Sequence, residues 1–465
     1  KGYRKVNGCS ENNAVLKALV HRATKNNKKT PCAFAFIDMA KAFDTVSHES
    51  IILACKRVGI PEILLSYLEN LYSKAYTSLQ GQCNAKFNRG ILQGDPLSGY
   101  IFNFVLDWVL DLTLNTNPAS RHPVKIGSAP VDALLFADDT VLVSRDLAGL
   151  QNLATNFINN AARVGLSPNP AKCAFTSIRT YNNSYYIDAA QKVNIAGQEI
   201  HPMNLSQTYK YLGIRFSPIG IVFEDLWDIV KKGVSNIMSS HLTKFQKYVA
   251  VRDYMMPRLN YTLTHGRVRF NDLKKIDLYI RASIRGMLGL SHDTPTEFYH
   301  AATAAGGLGI PELTVLKDLL RNARAQALRE SDDPIIKEMI AATPQLFQIK
   351  RINIGGFSCT KGAEAKDLYV RSLHSKVDTE GLSSTKEGDS NFLFLRIREL
   401  NIRDSDFARA CQMMASSVPT KSKYSRFKTL PGGNKCESCH DKVKNLAHIL
   451  QTCPRAQGAR MIAMT

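Results

Sequence analysis

Two apolar segments of this chain each run directly into aspartate. Residues 32–37 (CAFAFI) end at Asp38, and residues 131–144 (VDALLFADDTVLVS) carry Asp138 and Asp139 between two apolar runs. Short apolar runs bounded by polar residues predict buried strands, and the second segment predicts a hairpin with both acids at its turn. Carboxylates that emerge together from a buried sheet are costly unless a cation neutralises them. The chain is therefore expected to hold a metal at one end of a sheet.

Oxygen ligands of this kind favour Mg²⁺ or Mn²⁺ over zinc. Two such ions about 4 Å apart would hold the attacking and leaving oxygens of an in-line phosphoryl transfer. Successive strand residues point to opposite faces, so Asp138 and Asp139 both face the metal only if the turn bends the backbone. We therefore rank Asp139 below Asp138 as a ligand, and we expect Asp44 to brace the chain outside the metal site.

The charge balance limits the class of partner. Sixty Lys and Arg face forty Asp and Glu, which gives a net charge of +20 and favours nucleic acid first and an anionic membrane second. No run approaches the roughly 18 apolar residues of a spanning helix, and no secretory leader opens the chain, so neither membrane insertion nor secretion is expected. Ten cysteines in 465 residues are too few for a disulfide scaffold and predict a reduced, intracellular protein.

The last cysteines form a C-x2-C-x8-H-x4-C pattern through Cys436, Cys439, His448 and Cys453. A tetrahedral Zn²⁺ takes four such ligands, and the C-x2-C pair supplies two from one tight turn. His440 is a rival third ligand, but as the immediate neighbour of Cys439 it is badly placed to share its metal. Four basic residues near the cluster suggest contact with nucleic acid: Lys435, Lys442, Lys444 and Arg455.

Other patterns outline the organisation of the chain. Apolar alternation predicts a hairpin with strands at 76–80 and 85–92, and a strand-like piece at 211–216. Residues 241–290 carry ten Lys or Arg against three Asp on an amphipathic pattern, which indicates a basic helical face. On composition alone, a merely solvated surface is an equal alternative. Residues 355–389 look like loops or a linker.

Several motifs together resemble the palm of reverse transcriptases. These are FADD before an apolar strand, the D-x5-D of IDMAKAFD, and LQGDPLSGYIFNFVLD. The segments KGYRKVNGCSENNAVL, GLSPNPAKC and YKYLGI are similar to non-LTR (LINE-type) retrotransposon polymerases. The segment HDTPTEFYHAATAAGGLGIPEL and the terminal Cys/His cluster resemble the site-specific members that carry a restriction-like endonuclease.

The resemblance assigns roles residue by residue. It implies that Asp38 and Asp138 are the catalytic metal-binding pair, that Asp139 is the third acid, and that the backbone carbonyl of Met39 also holds metal. Two ions, Mg²⁺ or Mn²⁺, would occupy this site.

Further residues would bind the substrates. Phe43 looks like the steric gate that rejects a ribose 2′-OH, with an ordinary core phenylalanine as the alternative. Gln93 and Gly94 resemble the segment that contacts nucleotide and template, and Lys172 resembles the lysine that donates a proton to pyrophosphate. Residues 211–213 resemble the hairpin that grips the primer end, with plain hairpin chemistry as the alternative.

The fold class implied is α+β, a right-hand polymerase of fingers, palm and thumb with a C-terminal CCHC zinc knuckle. The expected domains are partial fingers and palm (1–217), a helical thumb (218–330), a linker region (331–430) and the zinc knuckle (431–465).

The activity implied is RNA-directed DNA polymerisation in target-primed reverse transcription. Its partners would be the element RNA as template, target DNA as primer, and deoxynucleoside triphosphates, with no membrane. One structural Zn²⁺ would accompany the two catalytic ions, and localisation would be nuclear after a cytoplasmic ribonucleoprotein stage. The alternatives are a catalytically silent RNA-binding scaffold and an intron maturase-type or telomerase-like polymerase.

Overall fold

The computed structural model describes residues 1–2, 5–27, 29–79, 83–376, 395, 402–415, 417, 435–440, 448 and 453–454. Its helices are α1 Gly8–Thr24, α2 Ala42–Thr45, α3 His48–Arg57, α4 Glu62–Ser73, α5 Ser98–Thr116, α6 Leu147–Arg163, α7 Trp227–Ser239, α8 Lys244–Val249, α9 Asn260–His265, α10 Phe270–Leu288, α11 Thr296–His300, α12 Leu313–Arg329, α13 Pro334–Ala342, α14 Gly362–His374 and α15 Asp404–Met414. None of these helices has the length and apolar character needed to cross a membrane.

The strands are mostly short. They are β1 Cys32–Ile37, β2 Tyr76–Leu79, β3 Cys83–Lys86, β4 Val124–Ile126, β5 Ala129–Val131, β6 Ala133–Phe136, β7 Asp139–Ser144, β8 Ala174–Tyr181, β9 Ser184–Ile187, β10 Val193–Ile195, β11 Gln198–Ile200, β12 Tyr209–Tyr211, β13 Ile214–Ser217, β14 Gly220–Ile221, β15 Ile352–Ile354 and β16 Phe357–Cys359. The mixture of helix and antiparallel sheet agrees with the α+β prediction.

The chain forms two compact units. The first comprises Lys1–Val222, His265–Arg267 and Arg324–Gln348, and the second comprises Phe223–Thr264, Val268–Ala323 and Ile349–Thr465.

The first unit is built on a five-stranded antiparallel sheet in the order β6-β7-β1-β8-β9. The central strand β1 is buried along its whole length. Ala33, Ala35 and Ile37 belong to the core that also contains residues of α5 and α6, while Phe36 contacts aromatic rings of β12. A strand covered on both faces needs apolar residues at every position, which explains the unbroken run CAFAFI.

The second unit is largely helical, and part of its basic character is used internally. Lys247 donates to the carbonyl of Met238 at the end of α7, and Arg252 donates to Asp253. Arg281 contacts His300 at 3.2 Å. These three cations are engaged with the protein itself, so the basic face predicted for 241–290 is narrower than its composition suggests.

Three predicted boundaries differ from the structure. The second strand of the predicted hairpin runs over Cys83–Lys86 instead of 85–92, and its turn at residues 80–82 lies outside the described chain. The predicted strand 211–216 is interrupted by a two-residue turn at Leu212 and Gly213, both with positive φ, which is typical of hairpin turns. The region predicted as linker, 331–430, contains α13, α14, α15 and the β15–β16 hairpin. Apolar residues recur at helical spacing in its helices.

Candidate active site

The ends of β1 and β7 bring the predicted acids together. Ile37 pairs with Thr140, so Asp38 and Asp139 lie opposite one another where the ladder ends. Asp139 is the first residue of β7 and pairs with Phe136, so the turn consists of Ala137 and Asp138 alone. The prediction that Asp139 lies in the turn is therefore wrong, because a two-residue turn closes this hairpin.

The turn itself is tightly constrained. Ala137 has φ of 51°, a left-handed conformation that costs energy for a residue with a Cβ. A Cβ added to Gly2 would lie 2.9 Å from the backbone nitrogen of Ala137. Glycine at position 2 thus permits close packing of the chain against this turn.

Asp139 is the acid of this group whose proton affinity is raised by its surroundings. Burial, followed by the charges of Asp138 and Asp38, raises the pKa of Asp139 to about 6. Asp138 is exposed in the turn, whereas Asp139 is half-buried. The three neighbouring acids form an oxygen-only donor set, and this set fits a hard divalent cation.

The backbone after Asp38 is fixed on one side. Asn169 donates its N–H to the carbonyl of Asp38 at 2.7 Å, and Ala40 donates to the carbonyl of Ser167 at 2.9 Å. The backbone carbonyls of consecutive residues in a strand point to opposite edges, so the carbonyl of Met39 points towards the β7 side. This is the side on which the acids of the hairpin lie.

Lys172 lies at the edge of the same site. Its Nζ is 3.9 Å from Oδ2 of Asp38, and 69% of its side chain is exposed. An exposed pair at this distance contributes little to stability, so the ammonium is free to move towards a substrate.

Phe43 and Asp44 lie in α2, and the Gln93–Gly94 segment contacts that helix through Gln93. The ring of Phe43 stacks on Phe102, with centroids 4.4 Å apart and planes at 16°. Gln93 donates to Oδ1 of Asp44 at 2.9 Å, which agrees with the bracing role predicted for Asp44. Gly94 has φ of 91° and open space around it.

The Cys/His cluster forms a second candidate metal centre. One potential ligand atom from each of Cys436, Cys439 and His448 lies within 4.8 Å of the other two. The Sγ atoms of Cys436 and Cys453 are 3.8 Å apart, close to the spacing expected when two thiolates share a tetrahedral zinc with bonds of about 2.3 Å. Cys439 Sγ lies 3.3 Å from Nε2 of His448.

His440 has a different place in this cluster. It has φ of 55°, and its N–H donates to the carbonyl of Cys436 at 2.9 Å. The backbone of His440 therefore closes the turn that begins at Cys436, while the imidazole of His448 contacts Cys439. A hydrogen bond from the backbone of Ser438, followed by one from His448, lowers the pKa of the Cys436 thiol to about 6. The nearby Lys442, Lys444 and Arg455 lie outside the described residues.

The chain is similar to known proteins along most of its length. Residues 2–216 match the family described as reverse transcriptase (RNA-dependent DNA polymerase). The chain is 28% identical over 469 residues to the Retrovirus-related Pol polyprotein from type-2 retrotransposable element R2DM of Drosophila melanogaster, covering 99% of this chain and 44% of that protein. It is 27% identical over 462 residues to the corresponding polyprotein from type-1 retrotransposable element R2 of Nasonia vitripennis, covering 98% and 43%.

Residues 2–216 thus match the reverse transcriptase family, and nearly the whole chain is similar to Pol polyproteins of R2 retrotransposable elements. The chain spans less than half the length of the two relatives. A solved structure of telomerase from Candida albicans with a fragment of telomeric RNA is also similar, at 13% identity and a TM-score of 0.34, covering 74% of this chain and 53% of that one.

Strand β12 places one further residue, Tyr209, beside the acids. The sequence motifs did not single out this residue. Tyr209 stacks on Phe36 with ring centroids 4.4 Å apart and planes at 18°. Burial, followed by the charges of Asp38 and Asp139, raises its pKa. The signal was present in YKYLGI, since Tyr209 and Tyr211 are two residues apart and share one strand face. Tyr211 is itself buried at 1% exposure and packs near Phe36.

Proposed function

We propose that this chain is an RNA-directed DNA polymerase that extends a DNA 3′-OH on an RNA template. The observation that carries this proposal is the meeting of Asp38, Asp138 and Asp139 at one end of a buried sheet inside a reverse transcriptase domain. The raised pKa of Asp139 supports it, because a half-buried acid beside two others favours a bound cation.

The three carboxylates and the carbonyl of Met39 would hold two Mg²⁺ or Mn²⁺ ions. When bound, these ions supply activation of the primer 3′-OH and neutralisation of the triphosphate charge. The protein's own contribution is to fix the acids on paired strands before substrate arrives. Positions held by a buried ladder need little reorganisation during reaction, which is how such sites lower a barrier.

The remaining site residues would select and position the nucleotide. The ring of Phe43 is held by its stack on Phe102. A ribose 2′-OH would therefore clash with a ring that cannot move aside. The open space at Gly94 lets a nucleotide or template approach the backbone closely. Lys172 would donate a proton from Nζ to the departing pyrophosphate.

The Cys/His cluster would hold one structural Zn²⁺ through Cys436, Cys439, His448 and Cys453. Soft thiolate ligands with one imidazole match zinc better than a hard cation. The spacing of the cluster atoms and the lowered pKa of Cys436 support this ligand set.

In its biological setting the enzyme would perform target-primed reverse transcription, with the element RNA as template and a nicked chromosomal strand as primer. This requires a nuclear stage. We assign 1–217 to partial fingers and palm, 218–330 to a helical thumb, 331–430 to a connecting region and 431–465 to a zinc knuckle. The alternative of a silent RNA-binding scaffold is disfavoured by the presence of all three acids.

Primer extension tests the proposal directly. The protein, with any missing N-terminal portion restored, is incubated with oligo(dT) annealed to poly(rA), dTTP and Mg²⁺. Template-dependent extension that EDTA stops is the expected result. RNA binding without extension, under conditions in which a known reverse transcriptase is active, would support the scaffold alternative instead.

A further inference from the structure

A groove lies at the end of the five-stranded sheet away from the carboxylates. It has a volume of about 600 Å³ and is lined by residues that include Arg145, Arg179, Tyr181, Tyr186 and Gln191. Strand β7 begins at Asp139 and ends just before Arg145, which places the groove about 20 Å along the strand from the acids. The groove is thus separate from the polymerase site.

The aromatic rings and one arginine of the groove share one face of the β8–β9 hairpin. Arg179 pairs with Tyr186, and Tyr181 pairs with Ser184, so these side chains project to the same side. Tyr181 is 70% exposed and Tyr186 is 43% exposed. The guanidinium of Arg179 lies 5.8 Å from the Tyr186 ring. Two large rings exposed on one face are available to stack against planar ligands.

The two arginines of the groove form long, solvent-exposed ion pairs. Arg145 lies 3.9 Å from Asp146 and Arg179 lies 3.7 Å from Asp188, and both arginine side chains are more than half exposed. Asp146 is committed elsewhere, since His122 contacts both its oxygens at 2.8 Å. Exposed pairs at such distances are weak, so both guanidinium groups can turn to a phosphate.

An unsatisfied acceptor adds a third feature. The buried carboxamide oxygen of Gln191 has no hydrogen-bond partner within the described chain. A buried acceptor without a donor is unfavourable, and rotation of the carboxamide towards the groove would let it accept a hydrogen bond from a ligand hydroxyl group.

We propose that this groove binds single-stranded RNA outside the polymerase site. Unpaired bases would stack on Tyr181 and Tyr186, Arg145 and Arg179 would contact phosphates, and a ribose 2′-OH would reach Gln191. Base pairs hide the faces of bases inside a duplex, so the exposed rings suit a single strand. The choice of RNA rests on the proposed function, in which template RNA must extend beyond the active site.

The test uses the full chain and a 20-nucleotide fluorescein-labelled oligo(U). The double variant Tyr181→Ala, Tyr186→Ala should bind it about tenfold or more weakly. Tyr185→Ala is the matched control, since Tyr185 is 37% exposed on the same strand but projects to the opposite face. Its affinity should stay within about twofold of the wild-type value. Arg145→Gln should reduce the slope of log affinity against log salt by about 0.7.

Two further measurements keep the result interpretable. Oligo(U) carrying 4-thiouridine should crosslink to the β8–β9 hairpin of the unmutated chain, which requires no variant to fold. An oligo(dU) competitor should displace RNA less well than unlabelled oligo(U), because it lacks the 2′-OH. Equal competition would overturn the assignment to RNA.

The outcome is separable from that of the proposed function. Extension of a primer-template whose template overhang is only a few nucleotides should be unchanged in the double variant. If the wild-type chain extends nothing, the polymerase proposal fails while the binding test still reports on the groove. If the double variant binds oligo(U) as tightly as Tyr185→Ala does and no crosslink maps to the hairpin, the groove proposal is wrong and a protein partner becomes the better occupant.

Discussion

The carboxylate end of the five-stranded sheet and the terminal Cys/His cluster both gather candidate metal ligands, but from very different lengths of chain. Asp38 and Asp138 are a hundred residues apart and meet only because β1 pairs with β7. Cys436 and Cys453 are 17 residues apart, and a single turn brings in Cys439. The first arrangement depends on a folded core, and the second depends mainly on local geometry.

The two sites also differ in how the protein shifts their pKa values. At the sheet, burial and like charges raise the pKa of Asp139, which opposes its ionised form. At the cluster, hydrogen bonds lower the pKa of Cys436, which favours its thiolate. The sheet would therefore pre-position an unfavourable charge for a catalytic cation, whereas the cluster is suited to a metal that completes local folding.

The largest effect should follow from removal of one carboxylate charge. Asp138→Asn is expected to reduce extension by about 100-fold or more, because the developing charge of the transition state loses its fixed support. RNA affinity should remain near the wild-type value, since phosphate contacts lie on other surfaces. Single-turnover extension and fluorescence anisotropy measure the two quantities.

Asp332→Asn is the matched control for this variant, because Asp332 is a fully exposed acid of the same compact unit. It should leave both extension and RNA affinity unchanged. Near wild-type extension by Asp138→Asn would show that the acids at the sheet end are not catalytic.

The second effect should be confined to the other site. Cys439→Ser is expected to reduce bound zinc from about one per chain to near zero, since thiolate ligation supplies much of the metal affinity. Extension on a preformed primer-template should change little, because the acids are held by their own sheet. Elemental analysis measures the zinc, and primer extension measures the activity.

His440→Asn tests the choice of histidine. Asparagine tolerates the positive φ of His440, so the turn should persist and zinc should be retained. His448→Ala should lose zinc as Cys439→Ser does. Retention by His448→Ala together with loss by His440→Asn would reverse the assignment.

A third effect concerns Phe43, the proposed steric gate. Phe43→Ala should reduce discrimination against ribonucleotides by about tenfold or more, because removal of the ring makes room for a 2′-OH. The variant should also lose about 1–3 kcal/mol of unfolding free energy, since the stack on Phe102 disappears. Competition between dTTP and UTP measures the discrimination.

Phe43→Tyr keeps the ring and should keep both properties. If Phe43→Ala loses stability but discriminates as before, the residue is an ordinary core phenylalanine and the gate lies elsewhere.

The sequence predicts the carboxylate site well because its information is concentrated in short segments. Unbroken apolar runs identify β1 and the β6–β7 hairpin, and the acids follow directly. Their register does not follow from the runs alone, so the pattern predicts Asp139 in the turn although it begins β7. One residue of slip changes which face a strand residue occupies, and only the pairing fixes it.

Tyr209 shows what local patterns leave out. Its position over Phe36 depends on the packing of the β12–β13 hairpin against β1, which joins segments far apart in sequence. Local patterns also miss the contact of Arg281 with His300, because it is a tertiary contact. Composition counts such a cation as part of a basic surface, whereas the fold uses it internally.

The smallest effect tests the unfavourable charge of Asp139, which distinguishes the carboxylate site from the Cys/His cluster. The pKa of Asp139 is raised to about 6, above the usual carboxyl value of about 3.9 in an unfolded chain. The folded state then binds more protons at Asp139 between these values, so the contribution of this group to stability is fully present below about pH 3.9 and is lost as pH rises through about 6. In EDTA, the wild-type chain should lose on the order of 1 kcal/mol of unfolding free energy relative to Asp139→Asn between pH 4.5 and pH 7, once solvent screening is allowed for.

The comparison with Asp139→Asn also controls for the loss of zinc. EDTA removes zinc from both proteins, so the effect of that loss on the unfolding free energy cancels in the difference between them. Returning Mg²⁺ at pH 7 should stabilise the wild-type chain more than Asp139→Asn, since a cation offsets the repulsion that raised the pKa. Denaturant titrations at each pH measure the difference. A difference that stays constant with pH would mean that neither burial nor the charges of Asp138 and Asp38 raise the pKa of Asp139, and the sheet end would then lack the unfavourable charge that distinguishes it from the Cys/His cluster.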